Sequence, residues 1–126
     1  MNWPGATHGL MRIVAALILI PHGYQKLFGI GERGPSGDVR SLVAATIELV
    51  FGTLILLGLQ TRWAAFLCSG LMAFAYWLVH GPRAFLPYVN GGELAMLLCF
   101  VFLFLWANGP GDWSLDAVLA KRRKSS

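Results

Sequence analysis

The chain has 126 residues, of which 56% are hydrophobic and 13% are charged, about half the charged fraction of a typical soluble domain. This composition excludes an ordinary water-soluble globule and leaves room for about four membrane helices with short loops. The net charge of +4 includes the basic run 121–124 (KRRK), which favours a cytoplasmic tail beside the membrane over nucleic-acid binding. We therefore predict an all-α, polytopic membrane four-helix bundle that forms a single domain over residues 1–126.

Four apolar segments follow one another along the chain, and each has about the length of a membrane helix. The predicted spans are 9–29, 38–59, 63–80 and 91–107. Pro21 removes a backbone donor and is expected to kink the first span. The connection 60–62 between the second and third spans is very short, so these two helices are predicted to be antiparallel neighbours.

Local patterns in the second and fourth spans predict a helix contact and a cap. Ala44, Glu48 and Gly52 recur every four residues, so they share one helix face. Small residues beside a carboxylate predict a close contact with another helix around Glu48. At the start of the fourth span, Asn90 and Glu93 have the spacing of a capping pair. 

Beyond the fourth span, the turn-forming sequence 108–111 (NGPG) ends the helix. Ser114 is then predicted to cap a short helix whose apolar side lies on the membrane surface. The basic run at the C-terminus follows this helix directly.

The positive-inside rule predicts the orientation of the bundle. The basic run 121–124 and Arg62 fall on the same side, so both termini are predicted to be cytoplasmic. The helical rise then places five ionisable residues in the outer half of the bundle: His22, Lys26, Glu48, His80 and Glu93. Arg12 alone lies near the inner end, where its long side chain is expected to reach the interface. Charge is costly in hydrocarbon, so each of these residues must face a partner, a cavity or the interface.

The outer cluster has two interpretations. The first is a structural clamp, in which Lys26 pairs with Glu93. His22 pairs with Glu48 in the same clamp. The second is a pocket for a quinone or another small polar head group, in which Lys26 holds an anionic or carbonyl oxygen while His22 and Glu48 move protons. The candidate ligand-binding residues are His22, Lys26, Glu48, Glu93 and Arg12; no catalytic residue is assigned.

Other redox centres have little support in the sequence. A haem held by His22 and His80 is disfavoured because His80 adjoins a Gly-Pro pair at a helix end. Cys68 and Cys99 lie far apart in apolar runs without a CxxC motif, so they are interpreted as buried hydrophobic residues rather than a disulfide or a metal site. No metal is predicted, and quinone is the remaining candidate cofactor.

Four motifs, in this order along the chain, resemble the pattern of a known family. They are Arg12 followed by 22–29 (HGYQKLFG), Glu48 with Gly52, 90–95 (NGGELA) and 109–116 (GPGDWSLD). Together they resemble the DoxX family of small bacterial four-helix membrane proteins over nearly the whole chain. The resemblance implies a bundle in the bacterial inner membrane. The family takes its name from a subunit of an archaeal thiosulfate:quinone oxidoreductase, also described as a terminal quinol oxidase subunit, and some members are linked to membrane oxidoreductase complexes and oxidative-stress defence.

The sequence and this resemblance favour one function and leave two others open. The favoured function is a quinone-facing or small-molecule-facing subunit of a membrane redox or oxidative-stress system. The alternative is a non-catalytic scaffold or assembly factor that docks partners through the basic tail and the helix at Ser114. A small transporter is less favoured, since no internal repeat is detectable. The expected partners are the lipid bilayer, redox proteins and a second copy of the chain, and nucleic acid is not expected.

Overall fold

The structure is a computed structural model that describes residues 3–29, 38–80 and 92–125, with backbone only at positions 79, 80, 124 and 125. The described residues form helices and turns without a β-strand, which confirms the predicted all-α class. The helices are α1 (Trp3–Phe28), α2 (Val39–Leu57), α3 (Thr61–Ala75), α4 (Glu93–Asn108) and α5 (Leu115–Ser125). A π-helical turn, Tyr76–His80, follows α3 without a break.

Each predicted apolar span overlaps a helix, although the ends differ. α1 begins six residues before the predicted start and continues through Pro21. α2 ends where Gly58 takes a left-handed conformation with φ of 72°, and its N–H bonds to the end of the helix. The N-cap of α4 is Gly92, so Glu93 lies in the first turn as predicted. Its predicted capping partner, Asn90, lies outside the described residues.

The helices pack as two close pairs, α1 with α2 and α3 with α4, which meet where α2 lies beside α3. The buried core is aliphatic, with Phe102 of α4 fully enclosed. In the first pair, a Cβ on Gly23 would lie 3.0 Å from Cβ of Glu48, and a Cβ on Gly52 would lie 3.0 Å from Ile20. Both distances are shorter than an ordinary van der Waals contact, so the helices approach closely here and the predicted close contact around Glu48 is confirmed.

The outer surface of the helices is strongly apolar. Large side chains such as Leu17, Phe74, Leu97 and Phe100 are each more than half exposed. α1 and α2 are long and apolar enough to cross a membrane, and only 33% and 22% of their most apolar windows are buried. The core helix of a soluble protein would bury most of such a window, so these surfaces fit contact with lipid. α4 is also apolar, but it is shorter.

Candidate functional site

A cavity of about 880 Å³ lies between the helices, at the end of the molecule where α1 finishes and α2 begins. Residues of all four longer helices line it, among them Leu19, Leu71 and Leu98. Leu78 of the π-helical turn also lines it, and π-helical turns often occur at functional sites. The polar side chains on its wall are His22, Lys26, Arg40, Ser41 and Glu48. The cavity is therefore mostly apolar with a few polar groups, as is typical of sites for small amphiphilic molecules.

One wall of the cavity is open at Gly70 of α3. A Cβ built on this glycine would meet no atom within 4 Å. The small residue therefore enlarges the cavity instead of allowing two helices to approach. 

Glu48 and Lys26 form the charged centre of the cavity. Nζ of Lys26 donates to Oε1 of Glu48 over 2.7 Å. The side chain of Glu48 is only 3% exposed, whereas that of Lys26 is 29% exposed. The ion pair offsets part of the cost of burying the carboxylate. Oε2 of Glu48 is also buried, and it accepts no hydrogen bond from the described residues.

His22 lines the same cavity and has a different partner from the predicted one. Its Nδ1 donates to the carbonyl oxygen of Ile18 over 2.7 Å, since a carbonyl can only accept. In the neutral imidazole this bond leaves Nε2 as an acceptor. The predicted pairing of His22 with Glu48 is therefore wrong, because Glu48 pairs with Lys26.

Glu93 does not form the predicted pair with Lys26. Glu93 is exposed, whereas its neighbours Leu94 and Ala95 line the cavity. The rotation of α4 about its axis thus turns the apolar residues inward and leaves the carboxylate outside. Of the five candidate ligand-binding residues, the structure brings His22, Lys26 and Glu48 together and keeps Glu93 apart.

Arg12 is remote from the cavity and fully buried. Its guanidinium donates to three carbonyl oxygens of the segment after α4: Pro110 over 2.7 Å, Asp112 over 3.0 Å and Trp113 over 3.0 Å. The prediction that Arg12 reaches the interface is wrong, because this segment folds over its head group. Arg12 therefore binds the C-terminal segment to α1, and we call this end of the molecule the Arg12 end.

Further contacts at the Arg12 end come from the first turns of α1. Nε2 of His8 donates to the carbonyl oxygen of Gly109 over 2.8 Å, and the N–H of Asp112 donates to the carbonyl oxygen of Gly5 over 3.2 Å. A Cβ on Gly9 would lie 2.5 Å from the carbonyl oxygen of Asp112, so only glycine fits there. The role of His8 was not predicted.

Asp116 of α5 binds the same end to the α2–α3 connection. Its carboxylate accepts the N–H groups of Gln60 over 2.9 Å and Thr61 over 3.0 Å, and so caps α3. Its own N–H donates to the carbonyl oxygen of Gly58 over 2.8 Å. Ser114 accepts the N–H of Ala117 over 3.1 Å, which confirms its predicted role as the cap of the short helix.

Other candidate centres have less support in the geometry. Cys68 is a buried free thiol, as predicted, whereas Cys99 is only partly buried. Within residues 3–29, 38–80 and 92–125, no group of three His, Cys, Asp or Glu side chains could hold a metal. The haem alternative depends on His80, whose side chain lies outside the described part of the structure.

The comparisons with known proteins identify the family of the chain. The model of the DoxX family matches residues 9–81. A protein of Haemophilus influenzae, described as uncharacterized, is 41% identical over 120 residues, covering 89% of this chain and 90% of its own. An uncharacterized membrane protein of Mycobacterium tuberculosis is 33% identical over 149 aligned positions, covering 96% of this chain and 90% of its own. No solved structure is significantly similar. The chain therefore belongs to the DoxX family, as its sequence motifs indicate.

Proposed function

We propose that this protein crosses the bacterial inner membrane four times and contributes a quinone-facing or small-molecule-facing pocket to a membrane redox or oxidative-stress system. The proposed spans are α1, α2, α3 with its π-helical turn, and α4. The exposed apolar surface of these helices supports a membrane location, as does the description of the mycobacterial relative as a membrane protein.

The observation that carries this proposal is the cavity with a buried ion pair on its wall. Its volume of about 880 Å³ lies within the usual range for ligand pockets, and apolar side chains line most of it. A clamp whose only purpose was stability would gain from filling this space, because an empty volume beside a helix forfeits packing energy. The open position at Gly70 and the charges of Lys26 and Glu48 instead favour an amphiphilic ligand with a polar head. 

Ligand-dependent stabilisation tests the proposal directly. We expect a short-chain ubiquinone or menaquinone analogue to stabilise the purified protein by about 2.7 kcal/mol at a hundredfold excess over its Kd. The substitution Gly70→Phe places an aromatic ring in the cavity without an initial clash at Cβ, and it removes a residue with poor helix propensity. We therefore expect Gly70→Phe to fold and to lose the stabilisation.

The matched control is Leu97→Phe, which adds an aromatic ring on an exposed position of α4 that does not line the cavity. This variant should keep the full thermal shift. If neither analogue stabilises the wild-type protein, or if both phenylalanine variants respond equally, the cavity is not the ligand site.

A scaffold function is favoured by one separate observation. α5 exposes Leu115, Val118 and Leu119 and ends in the basic tail, while Asp116 binds it to the rest of the fold. An exposed helix in a fixed position is suited to docking a partner. In that case, deletion of residues 121–126 should release co-purifying proteins, and quinone should produce no thermal shift.

A further inference from the structure

The free carboxylate oxygen of Glu48 restricts the chemistry of the ligand head. Glu48 is 2% exposed, and its Oε1 already accepts from Lys26. Oε2 is buried without a donor among the described residues, and Glu48 is one of the residues that line the cavity. An ionised carboxylate has only acceptor sites, and a buried acceptor without a donor is costly. A ligand that satisfies this atom must therefore carry an O–H or N–H group.

Lys26 adds a second requirement for the ligand head, which is a hydrogen-bond acceptor beside the donor that Glu48 requires. Its ammonium group has three N–H donors, of which one is directed to Oε1 of Glu48. Because its side chain is 29% exposed and lines the cavity, a further N–H is available to the ligand. A hydroxyl oxygen fits both groups at once, since it donates to Oε2 and accepts from Nζ. A carbonyl or ether oxygen can only accept, and it leaves Oε2 unsatisfied.

The apolar part of the cavity defines the rest of the ligand. Leu71 and Leu98 line the wall, and the open position at Gly70 is on the same cavity. We propose that the cavity binds an amphiphile with a hydroxyl head, whose O–H group donates to Oε2 of Glu48 and whose apolar body lies among these residues. This inference rests on the proposed function, because it assumes that the cavity is a ligand site and specifies the head group. Applied to a quinone, the same chemistry favours the reduced form, whose ring oxygens carry hydrogen.

A matched pair of ligands tests the hydroxyl requirement. The probes are para-octylphenol and its O-methyl ether, which share the ring and the chain but differ in the donor. Both are titrated against the full-length protein in nanodiscs. The Gly70→Phe variant, whose cavity is filled, measures how much probe dissolves in the lipid, and this signal is subtracted. We expect the phenol to bind at least tenfold more tightly, or about 1.4 kcal/mol.

The outcomes separate this inference from the proposed function. Equal affinities, or tighter binding of the ether, would overturn the hydroxyl requirement and leave the ligand site intact. Binding of neither probe, together with no quinone-dependent stabilisation, would overturn both. Quinone-dependent stabilisation without phenol binding would overturn the hydroxyl requirement alone.

A double variant tests whether Glu48 is the source of the preference for the phenol over its ether. Glu48→Leu combined with Lys26→Met removes both charges together, so no buried charge is left without its partner. We expect this variant to bind both probes with a ratio close to one. Leu97→Phe is the matched control outside the cavity, and it should keep the preference for the phenol. A preference that persists in the double variant, or one that disappears in Leu97→Phe, would overturn the assignment to Glu48.

Discussion

The substitution Arg12→Met should destabilise the protein strongly, because it removes three hydrogen bonds and fills the space with an apolar chain. Arg12 is 0% exposed, and its three acceptors are main-chain oxygens between residues 110 and 113. A carbonyl that loses its partner in a buried site costs about 1–3 kcal/mol. The segment can recover part of this cost by taking up water, and the cost of burying the guanidinium also disappears. Three such carbonyls would together cost about 3–9 kcal/mol, and after this recovery we expect a loss of about 3–5 kcal/mol in the free energy of unfolding.

Two measurements together check this expectation. Equilibrium unfolding in mixed micelles gives the total loss, and hydrogen exchange at the N–H of Asp112, which donates to Gly5, reports the local release. Arg12→Lys should have an intermediate effect, since an ammonium group cannot reproduce the planar fork of the guanidinium. Arg40→Met is the control, because Arg40 is exposed and should change stability by less than about 0.5 kcal/mol.

Two results would refute this reasoning. One is a loss below about 1 kcal/mol in Arg12→Met, which would mean that the three bonds contribute little. The other is a large loss with unchanged exchange at Asp112, which would mean that Arg12 acts through packing within α1 rather than by binding the C-terminal segment.

Three further predictions follow from the fold and the site. A periplasm-active reporter fused after Ser126 should be inactive, because the basic tail is predicted to be cytoplasmic; an active fusion would contradict the proposed orientation. The substitutions Lys26→Met and Glu48→Leu should be non-additive by about 0.6–1.7 kcal/mol in a double-mutant cycle in detergent, and additive losses would show that the 2.7 Å pair contributes nothing. Asp116→Ala should cost about 1–2 kcal/mol and increase hydrogen exchange at Thr61, because α3 loses its cap, whereas unchanged exchange would exclude that role.

The sequence predicted which polar residues meet at the cavity better than it predicted how they pair. The helical rise and the order of the spans place His22 and Glu48 at similar depth, with Lys26 one turn further out, and the structure brings all three to one cavity. Pairing depends in addition on the rotation of each helix about its own axis. An apolar helix such as α4 has no polar face from which this rotation can be read, so the position of Glu93 could not be derived.

The contacts of Arg12 were missed for a different reason. Its acceptors are main-chain carbonyl groups, which have no signature in the side-chain pattern. One signal was nevertheless present in the sequence. Gly5, Gly9 and Arg12 follow one another at spacings of four and three, so they share a face on which another segment can approach closely. The sequence contained this stripe, but it could not indicate that residues 109–113 cover it.

The two ends of the molecule differ in how they resist deformation. At the Arg12 end, main-chain groups from α1, the α2–α3 connection and residues 109–116 bind one another through fixed side chains. At the other end, the ion pair that the described residues form, Lys26 with Glu48, borders an open space. Opening the bundle sideways to admit a molecule from the lipid would therefore separate the helices at the cavity while α5 kept its place, with the Arg12 end as the hinge. A ligand could then enter the cavity without moving α5 or the basic tail.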